Sequence, residues 1–351
     1  MDSGETEGTR AATQRARGEL VRIVFGHLAS QALATAVRFG VMDLIGEGER
    51  TAAGLARECA ADERAMLRLL RALTALDMLV EDEPGVFSLS AGGALLRTDR
   101  PDSVASFVRM FTDPAMWRAW EHLDDSVRTG RTAFDRVFGR DFFAHLKDDP
   151  ELSALFNASM SQGSRATADL VPGHYDFARF QTVVDVGGGD GTVIAAILRA
   201  NPSLRGVLFD TSEGLAQAEA TLREHGVADR CALEPGDFFA AVPGGGDLYL
   251  LKSVIHDWDD DLAATILRHI RRVIPDRGRL LIMEPVLPDT VTSVLPAAMY
   301  LSDLNMLVNL GGRERTHADF HDLCQSAGFT LTRRLPLPPP LAFSLIEAAP
   351  A

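Results

Sequence analysis

The sequence is poor in several features that mark whole classes of proteins. Its 351 residues include three cysteines, far apart and without a CxxC pair. We therefore expect neither a disulfide framework nor a zinc site, and a reducing, cytoplasmic location. No stretch approaches 18 uninterrupted apolar residues, and the N-terminus lacks the apolar core of a signal peptide. We expect no membrane-spanning helix and no secretion.

Basic residues are in the minority. Lysine and arginine total 35 against 49 acidic residues, which gives a formal net charge of −14. Nucleic acids and anionic membranes attract basic surfaces, so neither is expected as the main partner.

The length and the changes of pattern along the chain predict more than one domain. Residues 1–15 are polar and aperiodic and are expected to form a disordered leader. Residues 16–100 are expected to form a helical and winged-helix domain, and residues 101–175 a helical connector. Residues 176–351 carry the pattern of an α/β domain.

The winged-helix pattern consists of two helices and a hairpin. A helix capped by Thr51 and a second helix over Glu63–Leu76 precede two short strands around Pro84-Gly85. Such a module often binds DNA through its second helix. That helix lacks a clearly basic, polar face here, so we interpret the module as an oligomerisation element. A winged-helix regulator that senses a ligand is the alternative.

Beyond Gln181, short β-rich runs alternate with helical segments, which predicts βαβ units and a doubly wound, mostly parallel sheet. The runs are TVVDV, GVLFD, CALEP, DLYLLK and RLLIMEP, with final strands near Thr330–Arg333 and Ala342–Ile346. Ligands of such sheets bind outside the carboxyl ends of the strands, so residues that follow the strands are candidates for a site.

The clearest motif is VVDVGGGDGT, in which a buried strand runs into glycines from Gly187 onwards. Glycines let the backbone turn sharply and approach a nucleotide closely. The dinucleotide fingerprint GxGxxG needs glycine or alanine where this chain has Thr192. Asp185 and Asp190 suit a pyrophosphate poorly, whereas a ligand with ammonium and sulfonium groups tolerates them. The motif therefore favours S-adenosylmethionine over NAD.

Further candidates follow the next strands. Asp210 closes GVLFD, where a carboxylate can accept both ribose hydroxyls. In GDFF, Asp237 can accept the adenine amino group while Phe238 packs on the ring. Each signal is weak by itself, and their order after the glycine loop strengthens them together.

His256 follows the fourth strand, in LLKSVIHDWDDD. An imidazole that titrates near neutrality suits removal of a proton from a phenol-like hydroxyl, whose oxygen then attacks the sulfonium methyl in line. Such a base needs a partner that fixes its tautomer, and either Glu284 in RLLIMEP or Glu314 in GGRERT can supply it. Lys252 can pair with the cofactor carboxylate or be an ordinary surface charge.

The acidic run from Asp257 to Asp261 does not indicate a metal site. Its spacing differs from that of an EF-hand loop, and Asp259 to Asp261 suit the first turn of the following helix. We expect no metal.

Together these motifs resemble the small-molecule O-methyltransferases that depend on S-adenosylmethionine, which include plant caffeate-type enzymes and actinobacterial antibiotic-tailoring enzymes. VVDVGGGDGT, GDFF, LLKSVIHDWDDD and GGRERT occur in that order, and the match runs from about residue 20 to the C-terminus. The resemblance implies a Rossmann-like class I methyltransferase domain with a dimerising N-terminal domain. It also implies a homodimer that methylates a hydroxyl of an aromatic or polyketide natural product.

The resemblance also implies roles for individual residues. His256 matches the catalytic base, flanked by Glu284 and Glu314. Cofactor contacts are matched by Ser164, Gly187, Asp210, Gly236, Asp237, Phe238 and Lys252, and the acceptor pocket by Phe156, Met160, Asn305 and Met306. Plant members carry a histidine where this chain has Gly163, so plant phenylpropanoid specificity is not implied. Some relatives hydroxylate or decarboxylate instead, but the base and both glutamates favour methyl transfer.

Overall fold

The chain forms two compact units, Met1–Asp113 and Pro114–Ala351. They are seen in a computed structural model that describes residues 7–291, 295–339 and 341–351.

The N-terminal unit contains the predicted helix pair and hairpin. Its helices are α1 (Glu7–Arg38), α2 (Val41–Ile45), α3 (Ala52–Glu58), α4 (Glu63–Ala75), α5 (Ala91–Ala94) and α6 (Ala105–Phe111), and its strands are β1 (Arg50–Thr51), β2 (Leu79–Glu83) and β3 (Val86–Leu89). The strands form an antiparallel sheet in the order β1-β3-β2. Thr51 caps α3 as predicted, because its side chain accepts the N–H of Gly54 at 3.1 Å. Leu55, Leu70 and Phe87 lie in the core of this unit.

Helix α1 begins earlier than its apolar periodicity indicates. Residues 7–15 of the expected leader are helical in the structure, and residues 1–6 lie outside the described residues. The segment AATQRAR contains good helix formers and no proline, so nothing in it stops the helix. By length and composition, Thr9–Arg38 could also cross a membrane, although the count of uninterrupted apolar residues predicted no such helix.

The C-terminal unit places helices on both faces of one sheet. Its helices are α7 (Pro114–Trp120), α8 (Leu123–Thr129), α9 (Ala133–Phe138), α10 (Phe142–Asp148), α11 (Pro150–His174), α12 (Thr192–Ala200), α13 (Ala218–Glu224), α14 (Asp260–Val273), α15 (Ala297–Asn305) and α16 (His317–Ser326). Its strands are β4 (Thr182–Val186), β5 (Arg205–Asp210), β6 (Cys231–Pro235), β7 (Leu248–Lys252), β8 (Arg279–Leu287), β9 (Arg315–Thr316), β10 (Phe329–Pro336) and β11 (Phe343–Pro350).

The sheet order is β10-β11-β8-β7-β4-β5-β6, with β9 beside β8. Strands β4 to β8 run parallel, and β11 runs antiparallel to both of its neighbours, β8 and β10. The predicted doubly wound, mostly parallel sheet is therefore confirmed. The carboxyl ends of β4, β5, β7 and β8 share one edge, where Gly187, Asp210 and His256 lie.

Alternation along the buried strands separates two cores. Val183 of β4 packs with Ile194 and Ile197 of α12 on one face of the sheet. The next residue, Val184, packs with Ile266 of α14 and Phe320 of α16 on the other face. With both faces covered, the sheet is a rigid support for the loops at its carboxyl edge.

Candidate active site

The glycine loop after β4 begins with two positions that leave no room for a side chain. Gly187 has a φ of +72°, and a Cβ added there would lie 2.7 Å from Cγ2 of Val254. A Cβ on Gly188 would lie 2.6 Å from Cγ of Asp185 and 2.4 Å from Cδ1 of Leu208. Both positions therefore require glycine, and the main chain itself forms the surface at this edge.

Asp185 is an orphaned carboxylate beneath this loop. The residue is 1% exposed, and neither oxygen has a hydrogen-bond partner among the described residues. Burial raises the pKa of Asp185 to about 7; Asp210 adds to this rise and Lys252 opposes it. Such a group normally has a partner, so its position indicates a cationic ligand. The sequence drew attention to Asp185 without making it a candidate site residue.

The carboxylate of Asp210 lies against the glycine loop. It accepts the N–H of Gly189 at 2.8 Å and that of Thr211 at 2.6 Å. Burial raises its pKa. The two hydrogen bonds fix the orientation of the carboxylate at the end of β5.

The GDFF segment follows β6. Asp237 is exposed, and its Oδ1 accepts the N–H of Phe239 at 2.8 Å. A Cβ on Gly236 would lie 2.4 Å from Cε2 of Phe209, so this position also requires glycine. The ring of Phe238 lies beside that of Trp258, with 6.0 Å between centroids, and 3.6 Å from the place of a Cβ on Gly187.

Lys252 is half-buried and hydrogen-bonded rather than an exposed surface charge. Its ammonium donates to Oγ of Ser164 at 2.8 Å, and that hydroxyl donates to the carbonyl of Met160 at 2.7 Å. Burial lowers the pKa of Lys252 to about 8, although Asp185 opposes the change. Two of the predicted cofactor contacts, from α11 and β7, thus meet at one point.

His256 lies in a single helical turn after β7. Ser253, at the start of this turn, has a φ of +52°, a left-handed conformation that is uncommon outside glycine. Nδ1 of His256 lies 3.0 Å from Oε1 of Glu314, and Nε2 lies 3.5 Å from Oδ1 of Asp257. Burial by itself lowers the pKa of His256, but the carboxylates of Glu314 and Asp257 raise it to about 10.

Glu284 holds the main chain of this turn. Its Oε1 accepts the N–H groups of Val254, Ile255 and His256 at 3.1, 2.7 and 3.2 Å. The register explains this contact, since Lys252 pairs with Met283 and Glu284 is the next residue of β8. Burial raises the pKa of Glu284. Of the two glutamates between which the sequence could not choose, Glu314 contacts the imidazole and Glu284 the backbone.

Glu314 is itself held in place. It precedes β9, in which Arg315 pairs with Val286 of β8. Its Oε1 accepts the hydroxyl of Ser302 at 3.1 Å, and its N–H donates to Asp303 at 2.8 Å. Sequence reasoning missed both of these α15 residues.

Arg315 was also missed. It is fully buried and donates to the carbonyls of Ile255 and Trp258 at 2.8 and 3.0 Å, and to Asp260 at 2.7 Å. The guanidinium thus ties the His256 turn to the start of α14. The only sequence signal was the second arginine of GGRERT.

The predicted acceptor-pocket residues lie on α11 and around the end of α15. Phe156 packs against Phe142 at 5.4 Å between centroids, within an aromatic group of α10 and α11. Asn305 is 7% exposed, and its Oδ1 accepts the indole N–H of Trp120 at 3.0 Å. Met160 is half-buried, and Met306 begins a π-helical turn that ends at Leu310. Such turns are frequent at functional sites.

The acidic run after His256 serves α14. Asp259 accepts the N–H of Leu262 at 2.9 Å as the N-cap. Within the part of the chain that the structure describes, no group of three or more histidine, cysteine, aspartate or glutamate residues could hold a metal ion.

The sheet order, the glycine loop and the edge residues define a class I methyltransferase fold. Residues 120–330 match the model of the O-methyltransferase domain, and residues 21–99 match that of the O-methyltransferase dimerisation domain. The chain belongs to the O-methyltransferase family.

Individual relatives agree with this assignment. The chain is 48% identical to an O-demethylpuromycin-O-methyltransferase of Streptomyces alboniger, over 97% of this chain and 91% of that protein. The solved structure of a mitomycin 7-O-methyltransferase matches with a TM-score of 0.90 and 37% identity, covering 97% of this chain and 100% of that one. An O-methyltransferase from neocarzinostatin biosynthesis matches with a TM-score of 0.78 and 31% identity, covering 92% and 96%. That enzyme was solved with S-adenosylmethionine and 2-hydroxy-5-methyl naphthoic acid. The family predicted from the motifs is confirmed, and this chain is an O-methyltransferase.

Proposed function

We propose that this O-methyltransferase methylates a hydroxyl of an aromatic natural-product intermediate, with His256 as the general base. The observation that carries the proposal is the contact of 3.0 Å between Nδ1 of His256 and Oε1 of Glu314 at the carboxyl edge of the sheet. The acceptor class rests on the named substrates of the relatives.

The residues around the glycine loop fit S-adenosylmethionine. Gly187 and Gly188 form a cradle that a Cβ would fill. The orphaned carboxylate of Asp185 provides a partner for an ammonium group, and Lys252 provides one for a carboxylate. We assign the remaining contacts to Ser164, Asp210, Gly236, Asp237 and Phe238. When bound, S-adenosylmethionine supplies an electrophilic methyl group on its sulfonium.

His256 takes the proton of the acceptor hydroxyl. Because Nδ1 is directed at Glu314, Nε2 is the nitrogen that accepts this proton. The pKa of about 10 matches that of a phenol, so the transfer of the proton is nearly balanced in energy. Glu314 stabilises the imidazolium that results, and Glu284 keeps the turn in position.

Phe156, Met160, Asn305 and Met306 are assigned to the acceptor pocket. The aromatic group of α10 and α11 suits a flat ring. Gly163 leaves open space beside α11, since a Cβ there would meet nothing within 4 Å. This space agrees with an acceptor different from the plant phenylpropanoids.

We also propose that the enzyme is a cytoplasmic homodimer joined through its N-terminal unit. The match to the dimerisation domain begins at residue 21, inside α1. This helix exposes Leu20, Val21, Ile23, Val24, Phe25 and Leu28. An apolar surface of this kind marks an interface, and a second copy of the chain would cover it.

The test is a methyl-transfer assay with labelled S-adenosylmethionine and a panel of hydroxylated aromatic acceptors. We expect the mass of one acceptor to rise by one methyl group. His256→Ala is expected to lower turnover by roughly 10²–10⁴-fold while its affinity for S-adenosylhomocysteine stays unchanged. His321→Ala, at an exposed histidine of α16, is the control. Near-normal turnover in His256→Ala would remove the general-base assignment, and products of hydroxylation or decarboxylation would remove methyl transfer.

A further inference from the structure

The opposite edge of the same sheet carries a cluster of arginines that methyl transfer does not use. A surface cavity of about 290 Å³ opens there, lined by Arg179, Phe180, Gln181, Asp247, Arg277 and Arg279. These residues precede or begin the parallel strands β4, β7 and β8. The five residues of β4 separate the cavity from the glycine loop, a distance of about 16 Å. The cavity is therefore distinct from the proposed cofactor site.

The carboxylate that lines this cavity, that of Asp247, already accepts hydrogen bonds from the backbone. Both oxygens of Asp247 accept the N–H of Gln181, at 3.1 and 3.0 Å, and Oδ1 also accepts that of Thr182 at 2.8 Å. Asp247 thus joins the starts of two strands and is oriented by the backbone. It forms no ion pair with an arginine in the described part of the chain.

Two of the three lining guanidiniums form no ion pair within the part of the chain that the structure describes. Arg277 and Arg279 have no carboxylate within 4.0 Å among the described residues. Within the described ranges, the guanidinium of Arg279 donates to the carbonyls of Arg277 and Gly278, at 3.2 and 2.7 Å, and to no carboxylate. Arg277 is exposed on the loop that precedes β8.

The third guanidinium is fixed in place. Arg179 pairs with Glu347. The same carboxylate also pairs with Arg333, so one negative charge is shared between two guanidiniums. The guanidinium of Arg179 lies 4.8 Å from the ring centroid of Phe180, which orients it. The residues that line the cavity thus include three guanidiniums and one carboxylate, Asp247, in a chain whose net charge is −14.

We infer that this amino-terminal edge of the sheet is a binding site for a phosphate or diphosphate group. Guanidinium forks match phosphate oxygens in geometry, and the local excess of two positive charges matches a dianion. The inference is independent of the methyl-transfer proposal, because the residues that carry it lie at the other edge.

The test is a calorimetric titration of the S-adenosylhomocysteine-loaded protein with sodium pyrophosphate at low salt. We expect one pyrophosphate per chain, with an affinity that falls as salt is added. Arg277→Gln combined with Arg279→Gln is expected to weaken binding at least tenfold. Arg277→Gln alone, at an exposed position, should weaken it severalfold without a change in folding. Arg64→Gln combined with Arg68→Gln, on the exposed face of α4, is the matched control and should bind as the wild type does.

A second titration distinguishes the source of the group. ADP that binds more tightly than pyrophosphate to the same arginines would indicate a nucleotide, and the reverse order would indicate inorganic diphosphate. Either order of affinity supports the site, provided that the double variant binds both ligands more weakly. Equal binding by the double variant, binding only to the cofactor-free protein, or no binding at low salt would each overturn the inference.

Discussion

Glu284 accepts the backbone N–H of His256 at 3.2 Å and leaves the imidazole to Glu314, whose Oε1 lies 3.0 Å from Nδ1. Two carboxylates thus hold one histidine in two different ways. One positions the main chain, and the other fixes the tautomer and raises the pKa. Because the two glutamates make different contacts, substitutions of Glu284 and of Glu314 are expected to have different effects.

Removing the charge of Glu314 should change the pH dependence of the reaction. The proposed base must be neutral to accept a proton, and the pKa of His256 is raised to about 10. We therefore expect kcat/KM to keep rising at pH values well above 6.5, the ordinary pKa of histidine. In Glu314→Gln the rising limb should move down by roughly one to three pH units. A rate profile between pH 6 and 10 measures this, with Glu224→Gln on α13 as the control. An unmoved profile would show that Glu314 does not set the pKa.

Removing the side chain of Glu284 should act on stability instead. Glu284→Ala leaves three N–H groups of the His256 turn without their acceptor, two of them buried. We expect a loss of about 2–5 kcal/mol in the free energy of unfolding, measured with urea. Glu284→Gln keeps an oxygen acceptor and should retain most of the stability. A profile that moves as far in Glu284→Ala as in Glu314→Gln would contradict the division between the two residues.

Replacing Asp185 with asparagine should make the protein more stable and lower its affinity for the cofactor. The folded pKa of Asp185 is about 7, above the unfolded value of 3.8. Its contribution to stability is therefore fully present below pH 3.8 and is lost as the pH rises through about 7. We expect Asp185→Asn to be more stable than the wild type by about 2–4 kcal/mol at pH 8 and to differ little near pH 4. Its affinity for S-adenosylhomocysteine should fall at least tenfold. Urea unfolding at both pH values and calorimetry check this, and the exposed Asp229→Asn serves as the control.

We expect the exposed apolar surface of α1 to hold the proposed dimer together. Light scattering of the wild type is expected to give twice the chain mass of 38.0 kDa. Val24→Glu combined with Leu28→Glu places charges on this surface and should give monomers that still bind S-adenosylhomocysteine. Val127→Glu, on α8 and 66% exposed, should leave the mass unchanged. A monomeric wild type that sediments with lipid vesicles would assign the helix to a membrane instead.

The sequence was most informative where the chemistry is local. The strand from Thr182 and the turn after it were predictable, because an apolar run followed by glycines from Gly187 onwards indicates a strand and a turn in the sequence itself. The helix that follows and the position of His256 after the fourth strand came from periodicity in the same way. The start of α1 was harder to predict, since residues 7–15 carry no apolar pattern.

The partners of these residues depended on contacts across the sheet. His256 and Glu314 are 58 positions apart, and Arg315 reaches Asp260 across 55. Only the register of β7, β8 and β9 decides which carboxylate meets the ring and which meets the backbone. Spacing along the chain does not contain that register.

The scarcity of cysteine and the acidic balance argued against other classes, and the ordered motifs determined the class of protein and predicted the edge of the sheet that carries its site. The tertiary structure alone decided that Asp185 is buried with no hydrogen-bond partner among the described residues, that Lys252 is half-buried against Ser164, and that arginines gather at the opposite edge. Whether a side chain is buried and whether its charge is paired depend on contacts between segments that are far apart along the chain, and the sequence alone does not specify those contacts.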